Sequence, residues 1–136
     1  MATLQLSVAA RNALLDAIET QVGAAPVIEL RAGAMPANCA AVPTGALLAR
    51  NAIPSDWMSA AAAGAKAKLG SWTLTGLGTG TIGYFRVVEA GSPDVCDIQG
   101  DVTVTGGGGA MTVDNTAIAL AQVVTVNTFT LTAPNA

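Results

Sequence analysis

The chain has 136 residues, 51% hydrophobic but only 4% aromatic, with 11% charged residues, a net charge of −3 and no histidine. That length suits one domain burying roughly two-thirds of its extended surface, with a core of Val, Ile and Leu, because much of the apolar content is alanine. Lack of histidine removes Ser-His-Asp and Cys-His nucleophile activation and the commonest transition-metal ligand, so neither an enzyme nor a cofactor is expected.

Residues 7–22 favour a helix, with Leu14, Leu15, Ile18 and Val22 forming one apolar stripe, Ser7 capping the start and Gly23 with Pro26 ending it. After Pro26 the period changes. In Val27-Ile28-Glu29-Leu30-Arg31, alternation places Ile28 and Leu30 on one face and Glu29 and Arg31 on the other, as in a strand. A loop rich in Pro, Ala and Asn spans 33–44, a second apolar stretch runs 46–53, and Pro54-Ser55-Asp56 breaks the chain. The Ala-rich segment 59–68 reads equally as a helical turn, a loop or an edge strand. Strands are expected at 71–75, 81–89, 95–105, 110–113 and 122–132, giving about seven in all. Gly106 to Gly109 reads as a hairpin connection. In the last strand, Val124, Val126 and Thr128 fall on one face, and Phe129 and Leu131 on the other.

Short strands, Gly-rich turns and no helical crossovers predict one mainly β domain over 1–136, an antiparallel β-sandwich or jelly roll at 26–132 with the N-terminal helix packed against it. The expected core comprises Ile28, Leu30, Leu48, Trp72, Leu74, Phe85, Val87, Ile98, Val102, Val104, Val113, Val124, Val126 and Leu131.

Four patterns have a chemical look. Gly78-Thr79-Gly80-Thr81-Ile82-Gly83 matches the dinucleotide fingerprint, but Tyr84-Phe85-Arg86-Val87-Val88 follows as strand where a phosphate-binding helix is required. Asp94, Asp97 and Asp101 form a solvated face in preference to a cation or glycosidase site, since Asp97 and Asp101 would stand ~13 Å apart on a strand. Trp57, Trp72 and Tyr84 are candidates for sugar stacking, with Trp57 the most exposed, although packing explains them better. Cys39 and Cys96 are the only thiols, either small buried hydrophobes or a disulfide, and without histidine they make a poor metal site.

Six scattered basic residues offer no stripe for phosphates, so direct nucleic-acid binding is not expected. No apolar run reaches the ~18 residues of a membrane span, and the N-terminus lacks a signal-like basic region, which implies synthesis in a cytoplasm.

Leu4-Gln5-Leu6-Ser7-Val8-Ala9-Ala10-Arg11-Asn12-Ala13, Pro36-Ala37-Asn38-Cys39-Ala40-Ala41, Pro54-Ser55-Asp56-Trp57-Met58, Gly83-Tyr84-Phe85-Arg86 and Thr128-Phe129-Thr130-Leu131-Thr132-Ala133 resemble small proteins of tailed-phage genomes. The resemblance implies a virion structural protein, made in the host cytoplasm, with no catalytic residues. By analogy of architecture, a capsid decoration (cement) protein bound to the major capsid protein is expected, as a homo-oligomer contacting other virion proteins. A tail or fibre-attachment subunit and a carbohydrate-binding module are the alternatives. Leu14, Leu15, Ile18, Trp57, Phe129 and Leu131 are the candidate interface residues.

Overall fold

The computed structural model describes residues 3–136, except for the side chains of Pro93 and Asp94. Among the described residues, one helix precedes nine strands. Helix α1 (Val8–Val22) starts where the Ser7 hydroxyl accepts a hydrogen bond from the Ala10 amide at 3.1 Å, and ends at Gly23, whose N–H donates to the Glu19 carbonyl. The strands are β1 (Val27–Ala32), β2 (Leu47–Ala52), β3 (Ala65–Ala67), β4 (Trp72–Thr75), β5 (Gly80–Glu89), β6 (Ser92–Val104), β7 (Met111–Val113), β8 (Ala117–Ile118) and β9 (Val123–Thr132). The fold is therefore mainly β with a single N-terminal helix, in a sandwich-like arrangement.

The strands run in the order β2-β1-β5-β6-β7-β9. The far side of β9 is shared, with β4 facing Val123 to Val126 and β3 facing Thr130 to Thr132. The sheet then returns to its beginning. Ala49 of β2 bridges Gly76 just beyond β4, and the Leu77 amide donates to the Leu48 carbonyl at 2.7 Å. β8 pairs with the start of β5.

Inside this closed sheet lies one apolar cluster containing Ile28, Leu30, Leu48, Trp72, Leu74, Phe85, Val87 and Val126. An aromatic chain crosses it. Trp57 and Trp72 have ring centroids 6.1 Å apart, Trp72 and Phe129 5.5 Å, and Phe85 meets Phe129 edge-on at 5.5 Å. Burial of each large ring contributes roughly 4–6 kcal/mol before its entropy cost, so a few aromatics suffice for a small core. Both indole N–H groups are satisfied, Trp57 by the Gly23 carbonyl and Trp72 by the Leu69 carbonyl.

Four sequence expectations need correction. The glycine run at 106–109 does not join a hairpin, because β6 and β7 pair in parallel, Val102 opposite Met111. Parallel neighbours ordinarily need a crossover of a dozen residues or more. Here the chain doubles back within 105–110, with positive φ at Gly106 and Gly108. The return packs so tightly that a Cβ on Gly107 would lie 2.7 Å from the Thr103 Cβ. Asp101 fastens its end by accepting from the Ala110 amide at 2.9 Å, which gives that carboxylate a structural task.

The second correction concerns β9, whose inward parity reverses at a bulge between the residues facing Thr112 and Val113. Val124 and Val126 point inward, and beyond Asn127 it is Phe129 that does so. Third, Val104 is 46% exposed and is not core, lying at the end of β6 where the chain turns away. Ile98 and Leu131 are only partly buried against the cluster. Fourth, nine strands stand where about seven were expected, because the short β8 carries no periodicity in two residues and the segment 59–68, open between turn, loop and edge strand, folds as a hairpin-like return that includes β3.

Candidate functional site

The outward side of β1 and β5 carries a second, polar layer. Alternation that sends Ile28, Leu30, Phe85 and Val87 inward sends Glu29, Tyr84 and Arg86 outward. Register then aligns Arg50, Glu29, Arg86 and Gln99 in a row across β2, β1, β5 and β6. The segment 33–46 folds over this row. Tyr84 anchors it, with its hydroxyl accepting from the Thr44 amide at 3.0 Å and donating to the Thr44 carbonyl. Arg86 donates to the carbonyls of Ala41 at 3.1 Å and Cys39 at 2.7 Å, and Gln99 donates to that of Pro36 at 2.8 Å. Gly83 makes room for the crossing, because a Cβ there would lie 2.0 Å from the Gly33 carbonyl oxygen. The last glycine of the fingerprint-like motif therefore serves close packing, within a strand and not before a helix.

Beneath the cover, Glu29 accepts from Arg31 Nε at 3.1 Å and from Arg50 Nη1 at 2.7 Å. Between cover and sheet lies a cavity of about 320 Å³ lined by Glu29, Arg31, Arg50, Arg86, Val88 and residues 39–43. Three guanidiniums and one carboxylate give it a formal charge of +2, in a chain with only six basic residues and a net charge of −3. Chemically, such a lining offers guanidinium N–H donors to an oxyanion such as a carboxylate. Glu29 is held by two of the guanidiniums, and the third, Arg86, is committed to carbonyls of the cover.

A separate set of contacts docks α1. Lys66 of β3 is 3% exposed and meets Asp16 and Glu19 of the helix, each at 2.7 Å. Burial alone would lower the Lys66 pKa, but the two carboxylates outweigh it and hold the amine above its ordinary value. The hydrogen bond from Lys66 lowers the pKa of Asp16. Asn12 accepts from the Gly64 amide, and Arg11 donates to the Ala133 carbonyl, tying the helix to both ends of this region.

The candidate interface residues divide. Leu14 is 48% exposed, and Ile18 and Leu131 are half-buried against the core. Leu15, Trp57 and Phe129 are buried within the chain itself and present no surface to a partner. Leu15 lies on the face of α1 that packs inward, Trp57 is fixed beneath the end of α1 by its bond to Gly23, and Phe129 turned inward at the β9 bulge. Trp72 and Tyr84 are also fully buried, so the three aromatics form no sugar platform.

Exposed apolar residues occur where sequence periodicity gave no sign. Gly76 exchanges hydrogen bonds with Ala121 and Gln122, joining the β4–β5 and β8–β9 turns. Leu77 and Leu120 stand on these adjoining turns and Val123 opens β9 beside them, 53%, 70% and 57% exposed. Leu4, ahead of the N-terminal helix, and Val8 and Leu14 within it are exposed as well. Their common signal was an apolar residue where turn chemistry or a helix start asked for a polar one.

Among the described residues, no group of three or more His, Cys, Asp or Glu could hold a metal ion, and no helix is long and apolar enough to cross a membrane. The side chain of Asp94 lies outside the described residues. Comparison of the chain with protein-family models, with curated proteins and with solved structures finds no match.

Proposed function

We propose that the protein is a non-enzymatic structural subunit of a tailed-phage particle, a capsid decoration protein that docks on the major capsid protein shell and on copies of itself. The observation that carries this reading is the set of exposed apolar side chains, Leu77, Leu120 and Val123 around the β4–β5 and β8–β9 connections and Leu4, Val8 and Leu14 at the N-terminal end, on a chain with few charges to oppose association. Much of its charge is engaged internally, in the Glu29 and Lys66 ion pairs. The basic cavity supports the same reading, since an acidic side chain of a neighbour would find unused guanidinium N–H groups there.

A protein that binds the assembled shell more tightly than free capsid subunits stabilises the shell by mass action. Quantitative mass spectrometry of washed virions tests the proposal. The expected result is a copy number comparable to that of the major capsid protein, with particles lacking this protein losing resistance to heat. Leu120→Ser should reduce shell binding at least tenfold while changing the isolated protein's stability by less than about 0.5 kcal/mol. A few copies at one vertex would instead mark a tail or fibre-attachment subunit, and absence from virions would overturn the particle reading altogether.

A further inference from the structure

The cover over the polar layer carries Cys39, and the strand beneath carries Cys96. Their relation is fixed by contacts on either side. Gln99 of β6 holds the Pro36 carbonyl, and Arg86 of β5 holds the Cys39 carbonyl, so residues 36–39 cross from β6 to β5 above the Gln99–Arg86 pair, two positions along β5 from Val88. Cys96 pairs with Val88, which lines the same cavity as Cys39, so the strand register brings it to the covered side. Between Val87 and Val88 the register shifts, and this bulge in β6 falls beside Cys96. Both residues are partly buried free thiols, and they are the only cysteines in the chain. Burial, then direct interaction with Cys39, raises the Cys96 pKa to about 11, with neighbouring Arg86 acting in the opposite direction.

We propose that Cys39 and Cys96 are a disulfide-forming pair, and that the bond clamps residues 39–43, one wall of the basic cavity, onto β6 when the protein meets a disulfide oxidant such as oxidised glutathione. The exchange proceeds in two displacements. The Cys39 thiolate attacks one glutathione sulfur, forming a mixed disulfide and releasing a glutathione thiolate. Cys96 then loses its proton and attacks the Cys39 sulfur, forming the internal bond and expelling the second glutathione. Two thiol protons and two electrons pass to the oxidant, which leaves as two reduced glutathiones. Arg86 stabilises the Cys96 thiolate as it forms. The three anchors already hold the cover in the thiol state, so little ordering remains to be done when the sulfurs join. The cross-link also restricts the unfolded chain by closing the long loop between the two cysteines. This pairing stands independently of the particle reading.

The test uses the full chain, with oxidised glutathione as the probe. Under non-reducing conditions the monomer should become lighter by two hydrogen atoms, and digestion should give one linked peptide pair containing Cys39 and Cys96. Its thermal midpoint should rise by several degrees and fall back on reduction. Cys96→Ser should instead stop at a stable glutathione adduct on Cys39, without the gain in midpoint. Wild-type protein that accumulates glutathione adducts or disulfide-linked dimers, or whose internal bond lowers the midpoint, would overturn the proposal.

Discussion

The two faces of β1 and β5 are made from opposite chemistry. Inward lie Ile28, Leu30, Phe85 and Val87, held by contact alone; outward lie Glu29, Tyr84 and Arg86, equally hidden but held by directed bonds. The inner layer tolerates approximation, because apolar attraction has no direction and neighbours adjust by fractions of an ångström. The outer layer does not. Each of its groups has a specified partner, and removal of one leaves another buried without compensation. What unites them is a shared backbone, so the same strands position a core and a basic cavity.

The largest effect should come from the inner layer. Trp72→Ala removes the ring that links Trp57 to Phe129 and should cost about 3–5 kcal/mol in urea unfolding. A loss under 1 kcal/mol would show that the aromatic chain is not central. In the outer layer, Glu29→Gln leaves Arg31, only 15% exposed, and Arg50 without their carboxylate. Its expected cost is about 3 kcal/mol, somewhat relieved because Arg50 reaches solvent. Equal stability of the variant and wild type would mean that the guanidiniums rearrange freely, and the contrast between directed and undirected layers would fail.

The smallest effect concerns the helix dock. The Asp16 pKa is below its ordinary 3.8, so the stability it contributes is complete above that value and is lost as pH falls through the lower folded one. The Lys66 pKa is above its ordinary 10.5, so its contribution is complete below 10.5 and disappears as pH rises through the higher folded value. Helix docking should therefore be insensitive to pH between roughly 5 and 9 and weaken at both extremes. Hydrogen exchange of α1 amides across that range checks this. Because Asp16 is mostly exposed, its acid limb should be shallow, and Asp16→Asn should flatten that limb at an equally small cost in stability at neutral pH.

Much of the architecture was legible because its signals are local. Ser7 and Gly23 bracket α1 in sequence as they do in space, and alternation from Val27 to Arg31 fixed which side chains face the core. The inner layer follows from such alternation. The outer layer does not, since alternation marks Glu29 and Arg86 as facing away from the core without telling that residues 33–46 will cover them. Proline, alanine and asparagine in that segment promise turns, while its destination depends on Tyr84, Arg86 and Gln99, forty or more positions on. Long-range partners leave no period to read. The same holds for the β9 bulge, where one extra residue reversed the parity of Phe129, and for the parallel return at 105–110, where glycines permit several paths and packing on Thr103 selects one.

The meeting of Ala49 with Gly76 also bears on how this protein behaves when crowded. A sheet that ends leaves a ladder of unpaired amides and carbonyls, a template on which further chains add as strands. Here β2 is met by the chain beyond β4, and the open flank of β3 is met by the segment around Met58 and Ser59. At these two edges, backbone groups are met from within the chain. Backbone pairing of this kind is thereby satisfied within the chain at both of these places, which leaves side chains there as what a neighbour would meet.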